Sequence, residues 1–180
     1  MKATGIVRRI DDLGRIVIPK EIRRTMRIRE GDPLEIFTNK DGEVIFKKYS
    51  PIGELTEHVD AFAQTLSHAT GATVAIVDKD TVVAASGAER RQLMDKKITL
   101  ETERLMEERG TYTYKIGATR IPVVDNGENC NAGIICPLLV EGDVLGAVIM
   151  LIKPTGAAPT EMDIKVIETT TQLLAKELES

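Results

Sequence analysis

Apolar and polar positions alternate over short runs at the start of the chain and settle into helical spacing only later. Residues 4–10 and 15–18 read as strands, short, rich in β-branched residues and bounded by turn residues. Between them Asp11-Asp12-Leu13-Gly14 is a turn, with a glycine available for positive φ. Pro19 stops the second strand, because it cannot donate to a ladder, and it suits the first position of a helix. That helix is expected to run to about Arg27, with Ile22 and Met26 on one face, and Glu30-Gly31-Asp32-Pro33 ends the unit. Residues 34–38 and 43–49 form a hairpin around Asn39-Lys40-Asp41-Gly42. Four short strands and a two-turn helix bury too little surface to be comfortably stable alone. With no disulfide or metal to staple it, the unit is expected to be an obligate dimer whose strands interleave.

Tyr49-Ser50-Pro51-Ile52-Gly53 marks a boundary, where Ser50 caps and Pro51 starts a long helix to about Ala69, stopped by Gly71. Its apolar positions Ile52, Leu55, Val59, Phe62, Leu66 and Ala69 form a heptad-like seam. A last helix starts after Pro159, with Thr160 as cap and Asp163 at its third position, and Ile164, Ile167, Thr171, Leu174 and Leu178 repeat the seam. Two readings stay open: the seams cover a sheet, or they also pack against partner subunits. Strands are expected at 72–77, 81–86, 118–124, 132–140 and 144–152, interrupted by a helix-rich stretch at about 89–109. A sheet flanked by helices at both ends is an α+β domain.

Charge sharpens the division. Residues 1–50 hold 12 lysines and arginines against 8 acids, a net of +4, while 51–180 hold 12 against 20, a net of −8. The whole-chain charge of −4 hides a basic module joined to an acidic one, which points to a polyanion partner for one end only. No apolar run approaches the ~20 residues that cross a bilayer, and Met1-Lys2-Ala3-Thr4 leads straight into patterned sequence. A cytoplasmic protein without membrane contact is expected. Cys130 and Cys136 match neither CxxC chemistry nor a zinc knuckle, and His58 and His68 are too far apart on one helix for i, i+4 ligation. The cysteines are expected to be inert thiols in or near a core, although Cys130, after Asn-Gly-Glu-Asn, has an exposed-looking context. Arg90-Arg91 and Lys96-Lys97 line a pocket or solvate a helix, and no catalytic set, metal or cofactor is implied.

The N-terminal arginines are the candidate site. Arg8 and Arg9 precede the first turn, Arg15 follows it, and Arg23 and Arg24 lie on the helix away from Ile22 and Met26. In an interleaved dimer, helix ends and turns of two chains converge and give ten such arginines on one broad face. Arginine suits phosphate because its planar fork binds two oxygens at once, and the same fork pairs with guanine in the major groove. Duplex DNA is the expected partner, since stacking rings for single strands are few. The competing reading is a solvated shell in which these arginines pair with Asp11, Asp12, Glu21 and Glu30.

TGIVRRIDDLGRIVIPKEIRRTMRI, followed by GDPLEIF and GEVIFKKY, resembles the N-terminal module of AbrB-type transition-state regulators. That resemblance implies a mainly β swapped-hairpin dimer over 1–50 that binds DNA through a basic face, with DNA contacts at Arg8, Arg15, Arg23 and Arg24, and Arg9 at a position often basic. CPLLVEGDVLGAVIMLIKP resembles the closing strands of a GAF domain, implying over 51–180 an antiparallel sheet with flanking helices. Such domains often hold a small ligand between sheet and connecting segments; here few rings are present to sandwich a planar one, so a small polar or aliphatic metabolite, or a closed scaffold, is expected. The implied function is a homotetrameric transcription regulator, activator and/or repressor, with its effector unknown. An antitoxin, and a GAF-type methionine sulfoxide reductase using Cys130 or Cys136, are the alternatives.

Overall fold

Extended backbone becomes a strand only where a second strand lies alongside to share its ladder, and that condition decides which expected elements form. The computed structural model describes residues 5–179. In the N-terminal unit, Met1–Tyr49, it contains α1 (Lys20–Thr25), β1 (Leu34–Thr38) and β2 (Val44–Lys48). β1 and β2 pair antiparallel, with Ile36 opposite Phe46 and Phe37 opposite Ile45. Asn39 shapes their turn, its Oδ1 accepting from the Asp41 and Glu43 backbone N–H groups at 3.1 and 2.9 Å.

Residues 5–10 and 15–19 adopt no regular secondary structure and pair with no strand among the described residues, so two of the four expected strands do not form within one chain. Thr4, at the start of the first, lies outside the described residues. A strand needs a ladder partner, and neither segment finds one within the chain. The helix is also shorter than expected. Pro19 (φ −57°, ψ 148°) precedes α1 rather than opening it, and Arg27 turns away at φ 53°.

The C-terminal unit, Ser50–Ser180, is built on a five-stranded antiparallel sheet. Its elements are α2 (Pro51–Glu54), α3 (Thr56–Thr70), β3 (Val74–Asp78), β4 (Val82–Ser86), α4 (Arg90–Leu93), α5 (Leu100–Glu107), β5 (Tyr112–Thr113), β6 (Ala132–Val140), β7 (Asp143–Leu151) and α6 (Glu161–Leu178). The strand order is β4-β3-β7-β6-β5. Successive residues of a strand face opposite sides. Val74 and Ile76 therefore join one core with Val148 and Met150, while Ala75 and Val77 join another with Ala147 and Ile149.

Helices cover the first face. Ile52, Val59 and Leu66 from one seam, and Ile167, Thr171 and Leu174 from the other, are buried, with Leu55, Phe62, Ile164 and Leu178 packed at the margin. The seams cover their own sheet, with their central residues buried within the chain. Ala69 is exposed, and the buried position falls on Thr70. The long N-terminal helix is broken at Leu55 (ψ 30°), one residue beyond the first turn that Ser50 caps. Gly71 ends α3 at φ 65°, as its left-handed cap requires.

Connecting segments cover the second face. The expected strand at 118–124 does not form there: Pro122 has no N–H to give, and the segment makes only isolated bridges, Pro122 to Asn131 and Ile98 to Val124. The edge beside β6 is filled instead by β5, whose two residues are too few to show an alternation. Gly146 lets β7 approach β3, since a Cβ there would run into the Val77 carbonyl oxygen and the Ile52 side chain.

α6 opens with the expected capping box between Thr160 and Asp163, and Lys153, just after β7, donates to both Asp163 oxygens at 3.2 and 3.0 Å. Burial alone would raise the Asp163 carboxyl, but hydrogen bonds from the Thr160 backbone and Lys153 outweigh it and hold it below the ordinary 3.8. With the folded pKa depressed, the stabilisation is complete above the unfolded value and is lost as pH falls through the folded one. Asp163→Asn is expected to cost ~1–3 kcal/mol at neutral pH. It should also flatten the loss of stability below about pH 4, both read from denaturant titrations at several pH values.

Candidate nucleic-acid interface

The five candidate arginines stand on three neighbouring segments of the N-terminal unit. Arg8 and Arg9 lie on the segment before the turn, Arg15 at the exit of the turn, and Arg23 and Arg24 on α1. All five are exposed. Arg15 is held: its Nε donates to Asp11 Oδ2 at 2.7 Å, while Asp11 Oδ1 accepts from the backbone N–H groups of Leu13 and Arg15 at 3.0 and 2.8 Å. Asp11 is therefore a clamp for the turn. The hydrogen bonds from the Arg15 backbone and then its side chain lower the Asp11 carboxyl, so it stays ionised and keeps its grip.

Arg8, Arg9, Arg23 and Arg24 make no ion pair among the described residues. The solvated-shell reading thus describes Arg15 and not the other four. Arg8 also borders an apolar groove of about 610 Å³, whose walls include Val17, Pro19, Ile22, Met26 and Phe46. Arg9, Arg15, Arg23 and Arg24 do not line it.

That groove belongs to a unit with almost no interior. Pro19 is the one fully buried residue among 5–49, while Val7 is 88% and Val17 72% exposed. Ile10, Leu13, Ile36 and Val44 are exposed as well. The rings here do not form a stacking platform: Phe46 lines the groove and Phe37 sits under the Lys47 ammonium, 4.7 Å from its centroid.

In the C-terminal unit, the space between sheet and connecting segments is filled by Leu93, Ile98, Met106, Val123 and Val124, all buried. Cys130 and Cys136 are both buried free thiols, on opposite faces of the sheet, and burial raises both. The exposed-looking context of Cys130 is misleading because the loop folds its side chain inward. His58 and His68 are exposed, with His58 Nδ1 3.8 Å from Glu177. Arg90, Arg91, Lys96 and Lys97 are exposed, and Arg90 donates to the Ala85 carbonyl at 3.0 Å. No group of three metal-ligating side chains occurs among the described residues, and no helix is long and apolar enough to cross a membrane.

Residues 54–179 match the family described as stage V sporulation protein T C-terminal, transcription factor. Residues 7–53 match the family described as antidote-toxin recognition MazE, bacterial antitoxin. The chain belongs to the stage V sporulation protein T family, transcription regulators that join an AbrB-like N-terminal unit to a GAF-like one. Stage V sporulation protein T of Bacillus subtilis (strain 168) is 46% identical over 180 residues, covering 99% of each chain. Transition state regulatory protein AbrB of the same organism is 59% identical over 51 residues, 28% of this chain and 52% of its own. The PixJ GAF domain of Thermosynechococcus elongatus, 15% identical, covers 72% of this chain and 90% of its own at a TM-score of 0.53, a likeness of fold alone. The antitoxin match stops at the N-terminal unit, whereas the regulator family spans the chain.

Both thiols are buried, with Cys136 at the wall of a cavity of about 280 Å³ beside Arg109, Thr111 and Glu168. In the native protein both are expected to react with a thiol reagent at least ~100-fold more slowly than in the unfolded chain. Mass spectrometry of timed samples with and without denaturant checks this.

Proposed function

We propose that two copies of the N-terminal unit interlock and grip duplex DNA through Arg8, Arg9, Arg15, Arg23 and Arg24, each drawn from both copies. The C-terminal units would join these dimers into a tetramer and carry a small-molecule signal to them. The protein would thereby activate or repress genes in sporulation, the process that names its family.

One observation carries this reading: four exposed arginines without acidic partners border a unit that cannot bury its own apolar side chains. Exposed apolar surface of this extent marks a contact with another chain. The two segments 5–10 and 15–19, unpaired within the chain, would offer their backbone to the same partner. A second copy supplies both needs, and its two-fold symmetry doubles the charge on one side. Asp11, which sequence alone would count against phosphate, supports the reading by fixing where Arg15 points.

For tetramer formation the inner seams of α3 and α6 are taken up by the sheet. The outer side of α6, with Met162 72% and Leu173 51% exposed, offers apolar surface to another copy.

Arg23→Ala with Arg24→Ala is expected to weaken DNA binding by roughly 100-fold, since each charged contact is worth ~1–3 kcal/mol, with far-UV spectrum and oligomer mass unchanged. Unaltered affinity would remove α1 from the interface. Independently, log affinity should fall with log salt at a slope of about −4 or steeper, as expected if half of ten arginines neutralise phosphates. A flat response in fluorescence anisotropy would point to another partner.

A further inference from the structure

Beyond the end of β7, the C-terminal unit has a polar cavity of about 180 Å³, lined by Glu89, Arg120, Asn129, Asn131, Lys153 and Gly156. Its polar lining is distinct from the aliphatic cluster between sheet and connecting segments. We infer that this cavity binds a small α-amino acid, its carboxylate on Arg120 and Lys153 and its ammonium on Glu89. This supplies a ligand class for the sensing role proposed above and rests on that role.

The lining is rich in donors whose bonding is incomplete. Arg120 is exposed and makes no ion pair among the described residues. Its guanidinium extends beside Gly156, where an added Cβ would stand 3.9 Å from Nη2. Lys153 directs its ammonium to both oxygens of Asp163 and keeps a third proton to give. The side-chain amides of Asn129 and Asn131 have no hydrogen bond among the described residues.

Opposed to these donors is one carboxylate. Glu89 Oε2 takes the Thr73 hydroxyl, leaving Oε1 available. A simple anion in the cavity would meet Glu89 as a like charge, and a simple amine would meet Arg120 and Lys153. A zwitterion satisfies both signs at once. At ~30 Å³ per liquid water, the cavity volume is that of about six waters, which suits an amino acid with a small side chain. Ile152 and Pro154 offer that side chain an apolar wall.

Lys153 gives the site a route to the rest of the unit. Its partner Asp163 also caps α6, so a bound carboxylate draws on the ammonium that steadies the start of that helix. Binding is therefore expected to register at the backbone amides of Asp163 and Ile164.

The test is calorimetric titration of the full chain with each of the twenty common L-α-amino acids, with acetate and methylamine as single-charge controls. At least one amino acid should bind with a Kd below about 1 mM, and both controls at least ~10-fold more weakly. Arg120→Ala should abolish the heat, and Glu89→Gln, which keeps an acceptor for Thr73, should weaken binding about 10-fold. Hydrogen exchange at Asp163 and Ile164 should change on binding. Silence from all twenty, binding unaltered by both variants, or binding with no change at those amides would overturn the inference. DNA binding by the ligand-free variants separates the two readings: if it persists while no amino acid binds, only the cavity assignment falls.

Discussion

An apolar side chain left in water must find cover, and in the N-terminal unit one chain cannot provide it. That unit has the apolar content of a folded domain, yet two of its segments find no ladder and, among its described residues, only Pro19 is buried. At roughly 25 cal/mol for each Å² of apolar surface, a handful of exposed isoleucines, valines and leucines forfeits several kcal/mol. Domains of this size have little stability to spare. On the proposed reading, association is a condition of folding, and the location of the arginines follows from it. They sit on the segments and helix that a second copy would cover, so one step would complete the core and assemble the charge.

The C-terminal unit meets no such shortage. Its sheet has apolar residues on both faces, and each face is covered from within the chain, by α3 and α6 on one side and by the connecting segments on the other. This self-sufficiency explains why its helical seams, which look like oligomer contacts in sequence, are buried against strands. A 3-4 spacing records that a helix has one apolar face and leaves open what that face meets. Sheet and partner subunit make identical demands on the pattern.

Legibility from sequence followed the same physical line. The strand expected at 132–140 is found over those residues, because an apolar run closed by Glu141 and Gly142 has no competing periodicity. The Thr160–Asp163 cap was legible because capping depends on residues three apart. The strand expected at 118–124 failed on Pro122, whose missing donor outweighs its β-branched neighbours. Among the site residues, the types and positions of the arginines were plain, but the clamp of Asp11 on Arg15 required the turn geometry. The polar cavity was invisible for a different reason. Its lining comes from residues 89, 120, 129, 131, 152–154 and 156, which only the fold brings together.

The charge division sets a limit on how the two units can cooperate. With a net of −8 beside a net of +4, the C-terminal residues add repulsion toward a polyanion, screened beyond about 10 Å at 0.1 M salt. Any gain in DNA affinity from the larger unit therefore has to be geometric, by holding DNA-binding dimers at high effective concentration. A signal acting on that unit changes occupancy only to the degree that it binds one arrangement of the assembly more tightly than another. The Lys153–Asp163 pair, between the end of the sheet and the start of α6, is where a small carboxylate has chemical leverage of that kind. It is partly shielded from solvent, so redistribution of one ammonium there carries more free energy than the same change on the exposed surface.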